Sequence, residues 1–395
     1  IYLRDSTTGA VDETWRAVVR DPALSLEGFE PVPAAKGIGV EGVLMRADTA
    51  AMAQGWRLLA GAFSIDGELE NAALLLSPEL KIVKRWILDE IPAGGEDPRP
   101  KHGKFVHGIA LLPDASLIYT FDGSVSLQRV DRCNRRLWSI PGHYHHAVTL
   151  DETAETVWAF DTYDSLVRVR ASDGKILQRT PVSAIIAANP AIDILEIRKA
   201  HADDHDINSR NTQGTWMDDP THMNDADPLP SALASAFPQF APGDLLISAR
   251  SLNLVFVMDP ETLAVKWWRS GWVQRQHDPD WMPSGEIMVF DNRLSRDHSD
   301  IVAINPQTFA HRVLFDGSAA GFYSRIRGKH QLTDNGHLVI TSSQQGWAFE
   351  LDATGQRVFE VMNTKPGSDT TNFAISEMTW FPPDSFNLEE VECSP

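Results

Sequence analysis

Cysteine is nearly absent from this chain of 395 residues, which contains only Cys133 and Cys393. So few cysteines exclude a disulfide-rich scaffold and a zinc site built from paired CxxC motifs. A disulfide between the two would tie the C-terminal tail to an early part of the fold and would indicate an oxidising compartment. Two free thiols are the alternative that the sequence leaves open.

Positive charge is also scarce, with 35 Lys and Arg against 54 Asp and Glu and a formal net charge of −19. Because affinity for phosphate backbones depends on Lys and Arg, we expect no nucleic-acid partner. An anionic ligand would need a local group of Arg and His gathered in one cleft.

Long apolar runs are missing, since none approaches the roughly 20 residues of a membrane-spanning helix. The chain begins at Ile1 rather than Met, which is compatible with a removed signal peptide or N-terminal anchor. We expect a periplasmic or other extracytoplasmic location. A membrane tether, or a membrane-complex partner bound through the N-terminal arm, is part of that expectation.

Several enzyme signatures are lacking as well. The sequence has no Walker loop, no dinucleotide fingerprint, no HExxH helix and no nucleophile elbow. We therefore expect no cofactor and no resident metal.

What the sequence does contain is a repeat. The segments "HGIALLPDASLIYTFDGSVSLQRVD" (107–131), "HAVTLDETAETVWAFDTYDSLVRVR" (146–170) and "HDPDWMPSGEIMVFDNRLSRDHSDIVAINP" (277–306) each begin with His and start a second strand about ten residues later. A fourth copy, 221–260, has an expanded turn; a fifth has its His330 two positions out of phase; and the first, from Trp56, has no His. Six units of roughly 40 to 55 residues, with about four strands each, predict an all-β, six-bladed β-propeller.

The repeat also predicts the domain boundaries. Residues 1–54 are predicted to form an N-terminal arm with a helix and a linker, 55–383 the propeller, and 384–395 a C-terminal tail. The helix is predicted from the spacing of Val11, Trp15 and Val18. The segment "ISEMTWFPP" (375–383) predicts a strand that closes the ring against the first blade.

An insertion, 183–219, separates the third and fourth blades. Its "IDILEIRKA" is a candidate short helix. Its "HADDHDIN" is either a metal-binding lid or a solvated acidic loop, and the lack of fixed ligand spacing favours the second interpretation.

The phase of the His carries a functional prediction. The first strand of a propeller blade lines the central channel, so His107, His146, His222 and His277 are predicted to converge at one mouth. Neutral imidazoles there can ligate a metal, exchange protons or act as nucleophiles. Asp278 is expected to face away from His277, because adjacent strand residues point to opposite faces.

Arginines follow the same strands. Arg250 stands in "SARS", Arg293 and Arg296 stand in "FDNRLSR", and "YSRIRGKH" adds Arg325, Arg327 and Lys329. A metal site prefers carboxylates, whereas a tetrahedral oxyanion suits the two donors of Arg. The cations therefore favour an oxyanion ligand over a metal.

In this order, "THMND", "GDLLISARSLNLVFVMDPETLAVKW", "QHDPDWMPSGEIMVFDNRLSR" and "GFYSRI" resemble the bacterial arylsulfotransferase family, whose members use no nucleotide sulfate donor. The similarity spans roughly residues 140 to 350, with "GHYHHAV" near its start. The resemblance implies an extracytoplasmic six-bladed propeller. It also implies transfer of a sulfuryl group from an aryl sulfate ester to a phenol through a sulfated histidine.

The resemblance also implies residue roles. His222 and His277 would act in proton transfer or contact the oxyanion, Arg296 would grip the sulfate, and His146 would complete the wall. Further substrate-binding candidates are His107, Arg250, Arg293 and His330. The family's nucleophilic His lies in a later blade, where this chain has Ser342, Ser343, Gln344 and Gln345.

Because of that departure, His277 and His330 are both candidates for the nucleophile. Two other functions stay open. One is a non-catalytic extracytoplasmic propeller that serves as a subunit or scaffold of a membrane-associated complex. The other is a metal-dependent lyase built on the His ring.

Overall fold

A computed structural model describes residues 16–89, 105–122, 124–162, 165–195 and 221–386, and its elements are almost all β-strands. The N-terminal strands are β1 Ala17–Val19, β2 Glu30–Pro31, β3 Val40–Glu41 and β4 Val43–Ala47. The next eleven are β5 Trp56–Ile65, β6 Glu68–Leu76, β7 Ile82–Ile87, β8 Val106–Leu111, β9 Leu117–Phe121, β10 Ser126–Val130, β11 Arg136–Pro141, β12 Tyr144–Leu150, β13 Thr156–Asp161, β14 Ser165–Arg170 and β15 Ile176–Pro181.

The second half of the chain continues the same pattern. Its first eight strands are β16 Met223–Pro228, β17 Leu245–Ala249, β18 Leu254–Met258, β19 Val265–Ser270, β20 His277–Trp281, β21 Ile287–Asp291, β22 Asp300–Ile304 and β23 His311–Asp316. The last six are β24 Lys329–Leu332, β25 Leu338–Ser342, β26 Trp347–Leu351, β27 Arg357–Asn363, β28 Thr371–Phe373 and β29 Ile375–Phe381. Helical elements are α1 Val182–Ala188 and the 3-10 turns Ser231–Ala236, Arg250–Leu252 and Ser343–Gln345.

Six antiparallel sheets in the described chain are the six blades predicted from the repeat, and β1 with β28 forms a further two-stranded sheet. In order the six blades are β29-β5-β6-β7, β8 to β11, β12 to β15, β16 to β19, β20 to β23, and β24 to β27. The first strands of successive blades, β8, β12, β16, β20 and β24, contact one another in turn, and β29 contacts both β24 and β8. This closed ring of inner strands confirms the six-bladed β-propeller.

The core explains why most strands are apolar on both faces. Each of the six hydrophobic clusters joins two neighbouring blades; for example, Trp158 and Phe160 of the third blade pack with Leu245 and Phe256 of the fourth. A sheet that is covered on both sides by other sheets has no solvent face, so alternation of polar and apolar residues is lost in its central strands.

The ring is closed by the C-terminal strand. β29 pairs with β5 from Ile375↔Gly61 to Phe381↔Trp56, so the first blade is built from both ends of the described chain. The sequence predicted this closure from "ISEMTWFPP".

The N-terminal segment differs from the prediction of a helix. Val18 lies in β1, which pairs with β28, whereas Val11 and Trp15 lie outside the described residues. Strands β2 and β4 extend the sheet of the sixth blade, and β3 pairs with β5. The pairing partner β28 is far away in sequence, so local periodicity could not reveal it.

The insertion after the third blade is described only as far as Leu195. Helix α1 comes earlier than the predicted one, and residues 192–195 of "IDILEIRKA" are not helical. The remainder of that segment and the whole "HADDHDIN" loop lie outside the described residues.

Two sequence expectations concern the protein's surroundings. Cys133 is disulfide-bonded, while Cys393 lies outside the described residues. Within the part of the chain that the structure describes, every helix is too short or too polar to cross a bilayer.

Candidate functional site

β-bulges at the starts of the inner strands build one pocket. An extra residue interrupts the register of five of the six inner strands, and the bulged residues include His107, His146, Asn224, Asp278 and Ser376. All five line the same pocket at the channel mouth, and its space, including the part open to solvent, is ≈ 340 Å³. Its other lining residues are Val106, Ala147, Asp225, His277, Arg327, Gly328 and Lys329. Bulges redirect side chains, and here they turn polar groups of five blades towards one point.

The backbone around the pocket is strained. His146, His222, Asp278 and Arg327 have φ values of 59°, 45°, 54° and 62°. Such conformations cost energy for residues other than Gly and cluster at functional sites. Gly108 permits one of them, because a Cβ there would lie 1.9 Å from the carbonyl oxygen of His146.

The structure brings the four predicted histidines together and adds a fifth. We call His107, His145, His146, His222 and His277 the histidine cluster. The ring of His146 is at its centre, with centroid distances of 3.9 Å to His107, 4.8 Å to His145, 4.6 Å to His222 and 6.1 Å to His277.

Hydrogen bonds assign the protons in one part of the cluster. His145 Nε2 lies 2.8 Å from the carbonyl oxygen of Thr162, so it must donate. In neutral His145, Nδ1 then accepts from His146 Nδ1 at 2.6 Å. The Nε2 of neutral His146 consequently accepts from His222 Nε2, 3.1 Å away. A chain of three imidazoles is thus ordered by one backbone carbonyl.

His277 is fixed differently. Its Nδ1 lies 2.7 Å from Asn292 Oδ1, and the amide nitrogen of Asn292 donates to the carbonyl oxygens of Ser324, at 2.7 Å, and Arg327. Because those two contacts orient the amide, His277 Nδ1 must carry the proton. His277 Nε2 is then an unprotonated nitrogen, buried and without a hydrogen-bond partner among the described residues.

His107 presents the opposite tautomer. The backbone N–H of His146 donates to His107 Nδ1 at 3.1 Å, so His107 carries its proton on Nε2 when it is neutral. The pocket therefore contains both an imidazole lone pair, on His277, and an imidazole N–H, on His107.

These imidazoles are held neutral. Burial lowers the pKa values of His107, His146 and His277 well below the usual range, and the charge of Arg250 lowers those of His146 and His277 further. Neutral imidazole is the form that can act as a nucleophile or accept a proton at pH 7.

Cations reach the pocket from one of the predicted segments, "YSRIRGKH". Arg327 and Lys329 line it directly, and Arg327 is stacked on the ring of Phe105. Burial lowers the pKa of Arg327 to about 9, which leaves it charged at neutral pH.

Three of the predicted arginines, Arg293, Arg296 and Arg325, lie elsewhere. Arg293 forms an ion pair with Asp300, Arg296 is exposed on the turn after β21, and Arg325 is exposed as well. None of these three lines the pocket. The motif "FDNRLSR" placed them close in sequence to His277, but the turn carries their side chains outward.

A second group of ionisable residues lies on the side of the pocket opposite β8 and β12. We call Asp225, Asp227, Asp278, Asp280, Glu377, Lys329 and His330 the carboxylate cluster. Lys329 Nζ lies 3.1 Å from Asp225 Oδ2 and 2.5 Å from Asp278 Oδ1. His330 Nδ1 lies 2.9 Å from Asp278 Oδ2 and 3.3 Å from Asp280 Oδ2.

His330 therefore belongs to the carboxylate cluster rather than to the ring of imidazoles. β24 is the inner strand without a bulge, and His330 pairs with Ile340 in regular register. Asp278 contacts His330. Alternation predicts that Asp278 faces away from His277, but the bulge turns Asp278 towards the pocket, which His277 also lines.

The segment 342–345, where the sequence lacked a histidine, makes structural contacts. Ser343 Oγ donates to the carbonyl oxygen of Ser376 at 3.2 Å, and Gln345 Nε2 donates to that of Gly321 at 2.8 Å. These bonds join the sixth blade to its neighbours, and the segment does not line the pocket.

Two groups in the described part of the chain have metal-compatible spacing. They are Asp278 with Asp280 and His330, and His298 with Asp300 and Asp316. In the first group Asp278 is already paired with Lys329, and in the second Asp300 is paired with Arg293, so a metal would compete with a resident cation in both.

His145 and Asn292 were missed in the sequence. They orient ring nitrogens of His146 and His277. The doublet His145-His146 and the residue that follows "FD" were visible signals for them. Asp225 lies close to His222 in the sequence and lines the pocket beside Lys329.

The comparisons with known proteins agree with this fold. The family model "Arylsulfotransferase (ASST)" matches residues 108–364, well over half of the chain, and the protein belongs to that family. Family membership supports a sulfotransferase-like function in general. No curated protein matches the sequence.

Solved structures are similar in fold alone. A protein of unknown function from Bacteroides caccae has a TM-score of 0.53 at 13% identity, with 82% of this chain and 98% of that chain covered. A chain of a nidogen/laminin complex has 0.48 at 12%, with coverage of 83% and 99%, and a streptogramin B lyase has 0.47 at 9%, with coverage of 93% and 98%.

Proposed function

We propose that this protein transfers a sulfuryl group from an aryl sulfate ester to a phenol, with His277 Nε2 as the nucleophile. The observation that carries the proposal is the buried, unpartnered Nε2 of His277 in a pocket lined by cations. Buried polar atoms are almost always hydrogen-bonded, so an orphaned lone pair at a pocket wall is expected where a ligand atom takes its place.

The surrounding groups suit the reaction. In the first step the His277 lone pair forms an N–S bond while the S–O bond to the phenolic oxygen breaks and its electrons leave with that oxygen. Arg327 and Lys329 are placed to hold the equatorial sulfate oxygens, as cations do in phosphoryl transfer. Asn292 keeps the His277 proton on Nδ1 and thereby leaves Nε2 available.

Attack by the acceptor phenol reverses these steps. The N–S bond breaks and its electrons return to Nε2, which restores the neutral imidazole. His330 is the less suitable nucleophile, because it does not line the pocket.

Incubation with 4-nitrophenyl sulfate and a phenol acceptor tests the proposal. We expect transfer by the wild type and a loss of at least about 10³-fold in His277→Ala, a scale typical of nucleophile removal. The exposed His311, on the outer strand β23, provides the matched control His311→Ala, which should keep wild-type activity.

A covalent intermediate gives a second measurement. With donor and no acceptor, mass spectrometry of an alkaline digest should find one added SO₃ group on the peptide that contains His277. Absence of transfer by the wild type, or His277→Ala with wild-type activity, would sink the proposal.

We also propose an extracytoplasmic location, which the disulfide at Cys133 supports, because structural disulfides persist mainly in oxidising compartments. Alkylation of the denatured protein with and without reductant measures the bridge. Thiols that react without reductant in protein isolated from its native host would contradict this location.

A further inference from the structure

The carboxylate cluster reaches the same pocket as His277. Asp225 enters from β16 and Asp278 from β20, and both line the pocket together with Lys329 of β24. Asp225 is only 4% exposed and Asp278 only 5%, so neither carboxyl group is solvated in the usual way. The proposed sulfuryl transfer leaves negative charge on the departing phenolic oxygen, which a nearby acid can neutralise by proton transfer.

The two carboxyl groups have different partners. Asp278 accepts the backbone N–H of His330 at 2.6 Å, His330 Nδ1 at 2.9 Å and Lys329 Nζ at 2.5 Å. Asp225 accepts from Lys329 Nζ through Oδ2 at 3.1 Å and lies beside the carboxyl group of Asp278. Asp278 therefore has three donors, while Asp225 has one, Lys329, and shares a side-chain contact with Asp278.

This asymmetry separates their protonation. Burial raises the pKa of Asp225 to about 7, with Lys329 opposing and Asp278 adding to the rise. Burial acts on Asp278 too, but Lys329 and His330 hold the pKa of that carboxyl group below its usual range. Two neighbouring carboxyl groups whose environments separate their pKa values are a common acid and base arrangement.

Other ionisable groups surround Asp225. Burial raises the pKa values of Asp227, on the same strand, and of Asp280, on β20. Burial also raises the pKa of Glu377 on β29. Lys329 stays protonated, since the carboxylates of Asp225 and Asp278 outweigh its burial.

We propose that Asp225 is the general acid and general base for the phenolic oxygens of donor and acceptor. This inference rests on the proposed function and assigns the proton transfer to a residue outside the histidine cluster. As the S–O bond of the donor breaks, the Asp225 carboxyl proton moves to the departing phenolate oxygen, which gives a neutral phenol and the Asp225 carboxylate. The Asp225 carboxylate then takes the proton of the acceptor phenol. At the same time the oxygen of that phenol attacks sulfur, and the electrons of the N–S bond return to His277 Nε2.

A change of leaving group separates this role from a structural one. The phenolate of 4-nitrophenol is stable and needs little protonation, whereas the phenolate of unsubstituted phenol is basic and needs a proton. We expect Asp225→Asn to lower kcat/KM for phenyl sulfate by about 100-fold or more and to affect 4-nitrophenyl sulfate far less. The wild-type kcat/KM for phenyl sulfate should fall as pH rises through about 7, and this fall should disappear in the variant.

The same blade provides a matched control. Asp244 is also buried and pairs with Lys266 at 2.7 Å, but it does not line the pocket. Asp244→Asn should change both donors equally if it changes them at all. An equal loss for both donors in Asp225→Asn would overturn the proposal.

A measurement without turnover completes the test. Infrared difference spectra between pH 6 and pH 8 should show a protonated-carboxyl C=O band that is lost in Asp225→Asn and kept in Asp244→Asn. If the wild type transfers sulfuryl groups but lacks this band, Asp225 is not the acid although the proposed function stands. If the wild type transfers neither donor's group, the proposed function fails and this inference fails with it.

Discussion

Two buried ionic clusters in this propeller have opposite characters. Arg57 of β5 and Glu350 of β26 are fully buried between the first and sixth blades, and their side chains bond at 2.6 Å. Glu350 also accepts the backbone N–H of Ala53 and Nδ1 of His337, both at 2.6 Å, and Arg57 is stacked over Phe359. The Glu350 carboxylate therefore has a donor on each oxygen, within the protein.

The carboxylate cluster around Asp225 contains more acids than cations, and the adjacent His277 and His330 each have a buried ring nitrogen without a partner among the described residues. Both clusters join blades, so position in the fold does not distinguish them. The difference lies in the carboxyl groups. Both oxygens of Glu350 have donors, although Arg57 Nε has no partner among the described residues, whereas the carboxylate cluster has more acids than cations. A matched ion pair joins two blades, while an excess of buried acids with raised pKa values is typical of a functional site.

The largest effect on stability is expected from breaking the buried Arg57–Glu350 ion pair. Glu350→Ala leaves Arg57 buried without its counter-charge and should lower the free energy of unfolding by about 3–5 kcal/mol. Guanidinium denaturation measures this change. The exposed pair Arg312–Glu286 is the control: Glu286→Ala should cost less than about 1 kcal/mol. Equal losses in the two variants would remove the distinction between the clusters.

A smaller effect on the free energy of unfolding is expected when pH changes the protonation of residues at the site. His107 has a depressed pKa in the folded state, so its contribution to stability is present above pH 6.5 and is lost as pH falls. The loss amounts to at most about 1.4 kcal/mol per pH unit for one group. The stability difference between wild type and His107→Gln should therefore shrink below pH 6.5 in urea titrations.

Asp225 should show the opposite sign. Its pKa is raised in the folded state to about 7, so its contribution is complete at low pH and is lost as pH rises through about 7. The difference between wild type and Asp225→Asn should therefore shrink from pH 5 to pH 8. A change in the same direction for His107→Gln and Asp225→Asn would contradict these assignments.

The smallest effect is expected at Arg296. The sequence predicted that Arg296 grips the sulfate, but its exposed position makes Arg296→Ala a surface change worth less than about 0.5 kcal/mol. The KM for the donor should also stay unchanged, whereas Lys329→Met should raise it. A large rise in KM for Arg296→Ala would restore the role that the sequence suggested.

Much of the fold could be predicted because the repeat is regular. The distance of ten residues from His107, His146 or His277 to the next strand is repeated in the structure, where β9, β13 and β21 begin at Leu117, Thr156 and Ile287. Constant spacing fixes which residues fall on the inner strand, and symmetry brings them together.

The site was less predictable because bulges break that regularity. A single extra residue between Met223 and Asp225, or between His277 and Asp280, turns a side chain to the other face, and sequence alternation assigns it to the wrong one. The cations are a similar case. Arg327 and Lys329 reach the pocket while Arg296 does not, because backbone turns rather than distance in sequence decide which side chains face inward.

Strand β29 gives the pocket a dependence on chain completion. It lies between β24 and β8 in the inner ring, and it supplies Ser376 to the pocket wall and Glu377 to the charges around Lys329. During synthesis these residues emerge after every histidine of the cluster. A growing chain can therefore contain all five imidazoles while the pocket still lacks one side. The unpartnered Nε2 of His277 is enclosed only when β29 pairs with β5 and closes the ring.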